Sequence, residues 1–426
     1  MKRTVFVEGG RTPFLRSQTD FTHYSAFDLG RLAVEGLITK SGLDPAWIDH
    51  VWFGNVIQDI HTTNIAREIT LAAGLPPDTP ATTISMACIS SSMAATSAVQ
   101  AIGCGDISGA LVGGVEVMSD IPIRFRKRFR QKLLQSQKYR SAVDYLSFFR
   151  GLKPSDLLPE IPSITEFSTG ETMGFSCDKM CAKYSIPRDE QDRFALRSHQ
   201  LAAKATQSGH LAAEIFPVCS SLSSQLIRSD NGIRGESSFE KLSSLKPAFA
   251  KPYGTVTAGN SSYLTDGASA ALLMEETTAR ALDLRPKARF LAHTYVAQSP
   301  EEDLLIGPAK AIPIVLEQTG LSLEDIGVIE LHEAFAGQVL TVLHALESEA
   351  FAQEVLGREK PIGRIPMEKI NTLGGSLSIG HPFGATGVRL ITTAANRLQR
   401  ENARYALIAA CAAGGQGHAM ILERVD

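Results

Sequence analysis

The chain repeats itself: a succession of three segments in its first third returns, in the same order, in its last third. SGLDPAWIDHVWFGNV resembles the later TGLSLEDIGVIELHEAF, and Ile48 matches Ile326 in the shared pattern Gly-Leu-x-x-x-x-Ile. Cys88 opens the helical stretch SSMAATSAVQAI as His381 opens GATGVRLITTAANRL, and ALVGGVEVMS pairs with ALIAACAAGG. Three pairs in one order indicate an internal duplication, so we expect two halves of like topology.

Short apolar strand patterns alternate with helical stretches along the chain. TVFVEGG near the start is followed by the helical pattern FDLGRLAVEGLITKSG and then by the strand pattern DHVWFGNV, and TISMACISSS leads into MAATSAVQAI. Strands that are separated by helices belong to proteins with a parallel or mixed sheet. The alternation therefore predicts the α/β fold class.

The segment between the two copies has a different character. Between Ile121 and Arg140 it carries eight lysine or arginine residues and no acid, and the proline-dotted KPSDLLPEIPSITEFSTG follows. We interpret this segment as an insertion of helices and loops. The predicted domains are an N-terminal half, 1–118, completed by about 246–282; an inserted loop domain, 119–245; and a C-terminal half, 283–426.

The composition argues against several classes of protein. Over 426 residues, 42 lysines and arginines balance 45 acids to a net charge of −3, so no global basic field favours nucleic-acid binding. No run of about 18 apolar residues occurs, which argues against a membrane span. In MKRTVFVEGG three apolar residues precede Glu8, too few for a signal peptide. We expect a cytoplasmic protein with no nucleic-acid partner.

The six cysteines are sparse and form no Cys-x-x-Cys pair, so we expect reduced thiols rather than a disulfide scaffold. Cys177 and Cys181 lie in an amphipathic helical pattern without a second ligand pair, and we interpret them as half-buried helix cysteines. His332 and Glu333 could begin a zinc motif, but Ala336 stands where HExxH requires its second histidine. The sequence therefore predicts no metal site.

Four loop positions carry residues suited to thiol chemistry. Cys88 stands between a strand end and a helix start, where the helix dipole is expected to lower its pKa. His381 stands at the matching helix start in the glycine-rich LGGSLSIGHPFGATG, and the duplication predicts that it approaches Cys88 as a base beside a nucleophile. Cys411, in IAACAAGGQGHAMIL, offers a second thiol and a turn whose backbone N–H groups could form an oxyanion hole. His332 occupies another strand exit.

Each of these residues taken alone also fits a structural role. Cys88 could be a buried core cysteine, and His381 could be a turn residue before proline. Two cysteines and two histidines at loop positions together indicate acyl or carbon–carbon chemistry that uses a thiol.

These segments resemble the thiolase family over nearly the whole chain. SMACISSS resembles its nucleophile segment, GHPFGATG its histidine loop, CAAGGQGHAMIL its C-terminal cysteine segment, and GTVTAGNSSYLTDGASAALLM its linker into the last strand of the first half. The resemblance implies a thiolase-like duplicated fold: two mixed five-stranded sheets in a layered αβαβα core with an inserted helical and loop domain. The halves would pack through the helices that begin at Cys88 and His381.

Further segments resemble the thiolase subunit of the fatty-acid oxidation trifunctional complex, namely MSDIPIR, EFSTGETMG and LKPAFAKPYGTVTAGNSS. This implies a 3-ketoacyl-CoA thiolase, an acetyl-CoA C-acyltransferase of β-oxidation. Cys88 would attack the 3-keto carbon, His381 would take the thiol proton, and Cys411 would protonate the departing acetyl-CoA enolate. His332, in HEAF, replaces the more common Asn and would hold an oxyanion directly or through water.

The resemblance also implies residues that bind the substrate. Met173, Ser262 and Ala334 match positions that line the pantetheine tunnel, and the backbone N–H of Ala413 would join that of the nucleophile in a second oxyanion hole. Thr172 stands where well-known short-chain members have histidine, which favours longer acyl chains.

The resemblance implies no organic cofactor and no metal, with CoA as a co-substrate. The resemblance implies at least a homodimer and allows a hetero-oligomer with a hydratase/dehydrogenase subunit. The basic stretch 121–140 interleaves cations with aromatic residues, and we weigh a partner or peripheral membrane contact there against a solvated helix face.

We weigh three other functions against this one. The same residues could make or cleave acetoacetyl-CoA, as an acetyl-CoA C-acetyltransferase does. A ketoacyl synthase shares the duplicated architecture but would lack Cys411. A non-catalytic scaffold subunit would be expected to have lost Cys88, His381 or Cys411, and all three are present.

Overall fold

The computed structural model describes residues 2–160 and 165–426. The chain divides into a large compact unit, formed by residues up to 120 and from 165 onward, and a small one, residues 121–164. The segment 119–245, predicted as one inserted domain, falls in both units. Its predicted boundaries stay predictions.

Strands and helices alternate through most of the described residues. The strands are β1 (Thr4–Arg11), β2 (Leu15–Arg16), β3 (His50–Gly54), β4 (Ala81–Ile84), β5 (Gly109–Glu116), β6 (Arg124–Phe125), β7 (Pro159–Glu160), β8 (Val218–Cys219), β9 (Leu226–Ile227), β10 (Thr265–Glu275), β11 (Ala288–Ala297), β12 (Ile326–Leu331), β13 (Tyr405–Ala412) and β14 (Gln416–Arg424). The α-helices are α1 (Ala26–Ser41), α2 (Ile65–Ala72), α3 (Ser90–Cys104), α4 (Lys127–Ser136), α5 (Ala142–Phe148), α6 (Met173–Lys183), α7 (Arg188–Gln207), α8 (Phe239–Ser243), α9 (Glu276–Ala281), α10 (Gly307–Thr319), α11 (Ala336–Glu347), α12 (Glu349–Glu354), α13 (Ser376–Ile379) and α14 (Thr386–Arg400). Short 3-10 turns span Pro45–Trp47, Pro154–Leu157, Ala212–Glu214 and Met367–Lys369.

The sheet of the large unit is built twice from the same plan. Its strands run in the order β12-β13-β14-β11-β1-β10-β5-β3-β4, and β2 pairs with β10. In the first half β4, β3 and β5 are parallel, and β10 and β1 continue antiparallel. In the second half β12 and β13 are parallel, and β14 and β11 continue antiparallel. The predicted duplication is therefore confirmed.

The two half-sheets differ from the predicted pair of five-stranded sheets in two details. Strands β1 and β11 pair through two residues each, so the half-sheets are hydrogen-bonded into one. In the second half a single parallel bridge from Ile329 to Ile370 stands where the first half has β4. Asn371 follows with a φ of 45°, which ends the extended backbone after one residue.

Helices α3 and α14 join the halves, as the sequence predicts. They share a hydrophobic cluster with strands of both halves, whose members include Ala94, Ala98, Val112, Val388, Ile391 and Ile408. The N–H of Val388 donates to Ser91 Oγ over 3.1 Å. A Cβ on Gly387 would lie 2.3 Å from Ser92 Oγ, so the close approach depends on a missing side chain. This contact places the Cys88 turn and the His381 loop side by side.

The small unit consists of a short hairpin and two helices. Strand β6 pairs with β7, and the Phe129 ring contacts Phe125 at 5.0 Å and Phe148 at 5.8 Å between centroids. Within the described residues, neither α4 nor α5 buries any residue. Large apolar side chains are exposed, among them Ile123, Leu134, Val143, Leu146 and Phe149.

The helices of the described residues are too short or too polar to cross a lipid bilayer.

Candidate active site

Cys88 lies in a tight turn between β4 and α3. Ala87 has a φ of 46°, a conformation that costs energy for a residue with a side chain. Ser90 holds the turn, because its hydroxyl donates to the Ala87 carbonyl over 2.6 Å and accepts the Met86 N–H over 2.8 Å. Cys88, partly exposed as a residue, is thus fixed at the start of α3.

The Cys88 sulfur and one ring nitrogen each of His332 and His381 all lie within 4.8 Å of one another. The two imidazole centroids are 4.1 Å apart, and their planes are tilted by 47°. His332 directly follows β12, and the His381 N–H donates to Thr265 Oγ1 over 3.0 Å. The duplication therefore brings together the three residues that the sequence placed on separate loops.

Both histidines are buried and neutral. Burial lowers the pKa of His381 to about 3, and the nearby Arg389 charge lowers it further. Burial, His381 and Arg389 hold the pKa of His332 well below its usual range. Each Nδ1 contacts a hydroxyl: His332 lies 2.9 Å from Ser376 Oγ, and His381 lies 2.7 Å from Thr386 Oγ1. Both Nε2 atoms lack a partner among residues 2–160 and 165–426.

The expectation that the helix dipole lowers the pKa of Cys88 is wrong for the resting protein. Burial is the dominant effect and raises the pKa of the thiol to about 12. The backbone N–H groups of Ala413 and of Cys88 itself favour the thiolate and offset only part of this. The thiol is therefore protonated at rest and needs a base to become a nucleophile.

Cys411 is buried near the end of β13, and Ala413, two residues later in the turn that follows, directs its backbone N–H at the Cys88 sulfur. Burial raises the pKa of Cys411, and a thiolate on Cys88 would raise it further. The turn requires glycine, because Gly414 and Gly415 have φ values of 81° and 66°. Glu166 fixes the turn by accepting the Gly414 N–H over 2.7 Å. A second protonated thiol and aligned N–H groups therefore lie beside Cys88.

The predicted substrate-binding residues fall into one region of the large unit. The Ser262 N–H donates to the Ala334 carbonyl over 2.9 Å, which joins two of them directly. Met173, the first residue of α6, packs against the hydrophobic cluster that contains Ala334 and Phe335. The role of these residues in binding stays a prediction.

Glu333, the second residue of the HEAF segment, acts as a buried anchor. Its carboxylate accepts the Ser198 hydroxyl over 2.7 Å, the Asn371 amide over 2.6 Å and the Leu377 N–H over 3.3 Å. These contacts hold the loop of His332 and tie it to the segment before His381.

Glu116 is a second buried carboxylate that sequence reasoning missed. Each of its oxygens accepts two N–H donors: Oε1 those of Asn55 Nδ2 and Ile57, and Oε2 those of Val56 and Gly384, over 2.9 to 3.2 Å. Burial nevertheless raises its pKa to about 8. The available signal was a lone acid in β5, a strand whose every residue is buried.

The fold is a duplicated α/β fold, and two protonated thiols and two neutral imidazoles lie at the junction of its halves. This combination defines an enzyme that uses a thiol for acyl transfer. The N-terminal domain of thiolases matches residues 4–277, and the C-terminal domain of thiolases matches residues 284–424. The chain therefore belongs to the thiolase family, and the predicted family and fold are confirmed.

Similar proteins fit this assignment. The chain is 49% identical over 423 residues to the mitochondrial trifunctional enzyme subunit beta of Rattus norvegicus, covering 99% of this chain and 88% of the relative. It is 42% identical over 422 residues to a 3-ketoacyl-CoA thiolase of Erwinia tasmaniensis, covering 99% of this chain and 97% of that relative. The crystal structure of human mitochondrial 3-ketoacyl-CoA thiolase in complex with CoA superposes with a TM-score of 0.84 at 29% identity. The match covers 100% of this chain and 98% of that structure.

Proposed function

We propose that this protein is a 3-ketoacyl-CoA thiolase of fatty-acid β-oxidation. It cleaves a 3-ketoacyl-CoA with CoA into acetyl-CoA and an acyl-CoA that is two carbons shorter. The observation that carries the proposal is the cluster of the Cys88 thiol with His332 and His381, whose reactive atoms lie within 4.8 Å.

In the first half-reaction the Cys88 sulfur attacks the 3-keto carbon, and its proton passes to His381 Nε2. The Thr386 hydroxyl donates to the Pro382 carbonyl over 3.0 Å, so the His381 Nδ1 donates to Thr386 and Nε2 carries the lone pair. The C2–C3 bond then breaks, and Cys411 protonates the acetyl-CoA enolate. The acyl group stays on Cys88 as a thioester.

The second half-reaction returns every group to its starting state. The Cys411 thiolate takes the proton of incoming CoA, whose sulfur attacks the thioester carbonyl. Cys88 leaves as a thiolate and regains its proton from His381. The shortened acyl-CoA departs with the sulfur of the new CoA.

Negative charge develops on two carbonyl oxygens during this cycle, and two sets of donors are placed to receive it. His332 lies beside the CoA thioester oxygen, which carries the negative charge of the acetyl-CoA enolate when the C2–C3 bond breaks. The backbone N–H groups of Cys88 and Ala413, which already point at the thiol, receive the 3-keto oxygen in the tetrahedral adducts at Cys88, and this atom becomes the carbonyl oxygen of the acyl-enzyme.

The resemblance to the same relatives also supports a mode of substrate binding and of assembly. Met173, Ser262 and Ala334 line the tunnel for the pantetheine arm of CoA, and Thr172 in place of histidine supports longer acyl chains. The protein acts as a homodimer joined to a hydratase/dehydrogenase subunit; the name of the rat relative, a trifunctional enzyme subunit, supports assembly with other subunits. The exposed apolar and basic residues of 121–140 contact a membrane surface or that subunit.

Thiolysis by the purified protein tests the proposal. The loss of 3-ketoacyl-CoA absorbance on adding CoA is followed with 3-ketohexadecanoyl-CoA and with acetoacetyl-CoA, each with a Cys88→Ala control. Faster turnover of the long substrate that the control abolishes supports the proposal. Activity on acetoacetyl-CoA alone would instead indicate an acetyl-CoA C-acetyltransferase, and no activity on either would contradict a stand-alone thiolase.

A further inference from the structure

A buried chain of polar groups lies behind His332, away from the thiol. Ser376 begins α13, and its Oγ lies 2.9 Å from His332 Nδ1 and 3.0 Å from Arg389 Nη2. The Arg389 Nη1 in turn lies 3.6 Å from a Glu330 carboxylate oxygen. Ser376, Arg389 and Glu330 are each 1% exposed or less, so water does not compete for these contacts.

The contacts of Ser376 determine where its proton lies. The Arg389 guanidinium carries donors and no acceptor, so the Ser376 oxygen must accept from it. Among the described residues, the only hydrogen-bond acceptor then left for the Ser376 hydroxyl proton is His332 Nδ1. A neutral ring that accepts at Nδ1 carries its proton on Nε2.

The neighbouring His381 has the opposite arrangement. Its Nδ1 donates to Thr386 Oγ1, and its Nε2 is free to accept the thiol proton. Two imidazoles whose centroids are 4.1 Å apart thus present different groups to one site, an acceptor on His381 and a donor on His332.

We propose that Ser376 and Arg389 are positioning residues that hold His332 in its Nε2-protonated tautomer, so that it donates a hydrogen bond directly to the enolate oxygen of the departing acetyl-CoA. This inference rests on the proposed function. It goes beyond it, because it attributes the tautomer of His332 to two residues that touch no substrate. Arg389 orients the Ser376 hydroxyl, and its charge keeps a second proton off the ring.

Nitrogen NMR of protein labelled with 15N-histidine tests the tautomer without reference to activity. The chain has ten histidines, and a His332→Asn variant identifies the signals of this ring. We expect a protonated Nε2 and an unprotonated Nδ1 in the wild type, and a shift toward the other tautomer in Ser376→Ala. A protonated Nδ1 in the wild type, or a tautomer that Ser376→Ala leaves unchanged, overturns the inference.

A double-mutant cycle tests the catalytic consequence. We expect Ser376→Ala to lower kcat by about tenfold to hundredfold, as a weakened oxyanion donor does, with little change in the KM for CoA. Ser376→Thr, which keeps the hydroxyl, should restore most of the rate. In a His332→Asn background, Ser376→Ala should cost less than about twofold, because the ring that it orients is gone.

The outcomes separate the two proposals. An equal loss from Ser376→Ala in both backgrounds contradicts the positioning role, because it points to a structural effect. A wild type that shows the expected tautomer but no thiolysis with any 3-ketoacyl-CoA contradicts the proposed function and, with it, the role of His332 at the enolate oxygen.

Discussion

The Gly384 N–H donates to the Glu116 carboxylate over 3.1 Å, and this bond links the two halves of the duplicated fold beside the candidate active site. Glu116 ends β5 of the first half, whereas Gly384 belongs to the loop that carries His381. The same carboxylate holds the N–H groups of Val56 and Ile57. One buried acid therefore sets the position of the histidine loop relative to the half that carries Cys88.

Glu116 makes the stability of the protein depend on pH in a specific direction. Burial raises its pKa to about 8, above the value of about 4.3 in an unfolded chain. Between these values the folded state binds the extra proton, so the free energy of unfolding falls as the pH rises through about 8. The fall attributable to Glu116 is at most about 5 kcal/mol, at 1.36 kcal/mol per pKa unit.

Urea unfolding of the wild type and of Glu116→Gln at pH 5, 7 and 9 measures this effect. The wild type should lose more stability over the range than the variant, since glutamine does not titrate. Equal slopes for the two proteins would show that Glu116 keeps an ordinary pKa.

The pH dependence of the alkylation rate measures whether the Cys88 thiol is protonated in the resting protein. Burial raises the pKa of the thiol to about 12, so the rate with iodoacetamide should keep rising up to pH 10 without a plateau. Glu116 also raises this pKa through its charge once its own carboxyl ionises above pH about 8, so Glu116→Gln should react faster in that range. A plateau near neutral pH would mean that a stable thiolate exists at rest, contrary to this account.

The contact between α3 and α14 should tolerate no side chain at position 387. An added Cβ would lie 2.3 Å from Ser92 Oγ and 2.5 Å from the Ser92 backbone nitrogen, so Gly387→Ala should destabilise the protein by about 1–3 kcal/mol. Thiolysis should fall with it, because the two loops at the helix starts separate.

Gly103→Ala, in the last turn of α3, is the matched control. Nothing lies within 4 Å of its added Cβ, so it should be neutral or stabilise the helix by up to about 1 kcal/mol. Chemical denaturation of both variants compares them, and similar stability changes in the two would refute the steric argument.

The residues 121–140 should bind anionic lipid surfaces. Leu134 is 63% exposed on α4, among lysines and arginines that are attracted to acidic headgroups. Co-sedimentation with phosphatidylserine-containing vesicles should capture the protein, whereas neutral phosphatidylcholine vesicles and high salt should not. Leu134→Glu should weaken capture more than Gln135→Glu, which adds the same charge at a polar position. A protein that stays in the supernatant with both vesicles would contradict lipid binding by this surface.

The parts of the site that could be predicted from the sequence are those fixed by backbone topology. Matching helix starts in a duplicated fold meet near one axis, so Cys88 and His381 could be placed together without a structure. The pKa of Cys88 could not, because it depends on how fully the surrounding loops bury the thiol. The network of Ser376 and Arg389 behind His332 was also missed, since it depends on side-chain directions that no periodicity reveals.

The acyl-enzyme itself is the most direct test of the central claim that Cys88 is the nucleophile. The protein is mixed with 3-ketohexadecanoyl-CoA without added CoA, quenched in acid and mapped by peptide mass spectrometry. We expect a tetradecanoyl thioester on Cys88 together with released acetyl-CoA, and neither product in Cys88→Ala. Acetyl-CoA released by the wild type without an acyl group on Cys88, or an acyl group on Cys411 instead, would contradict it.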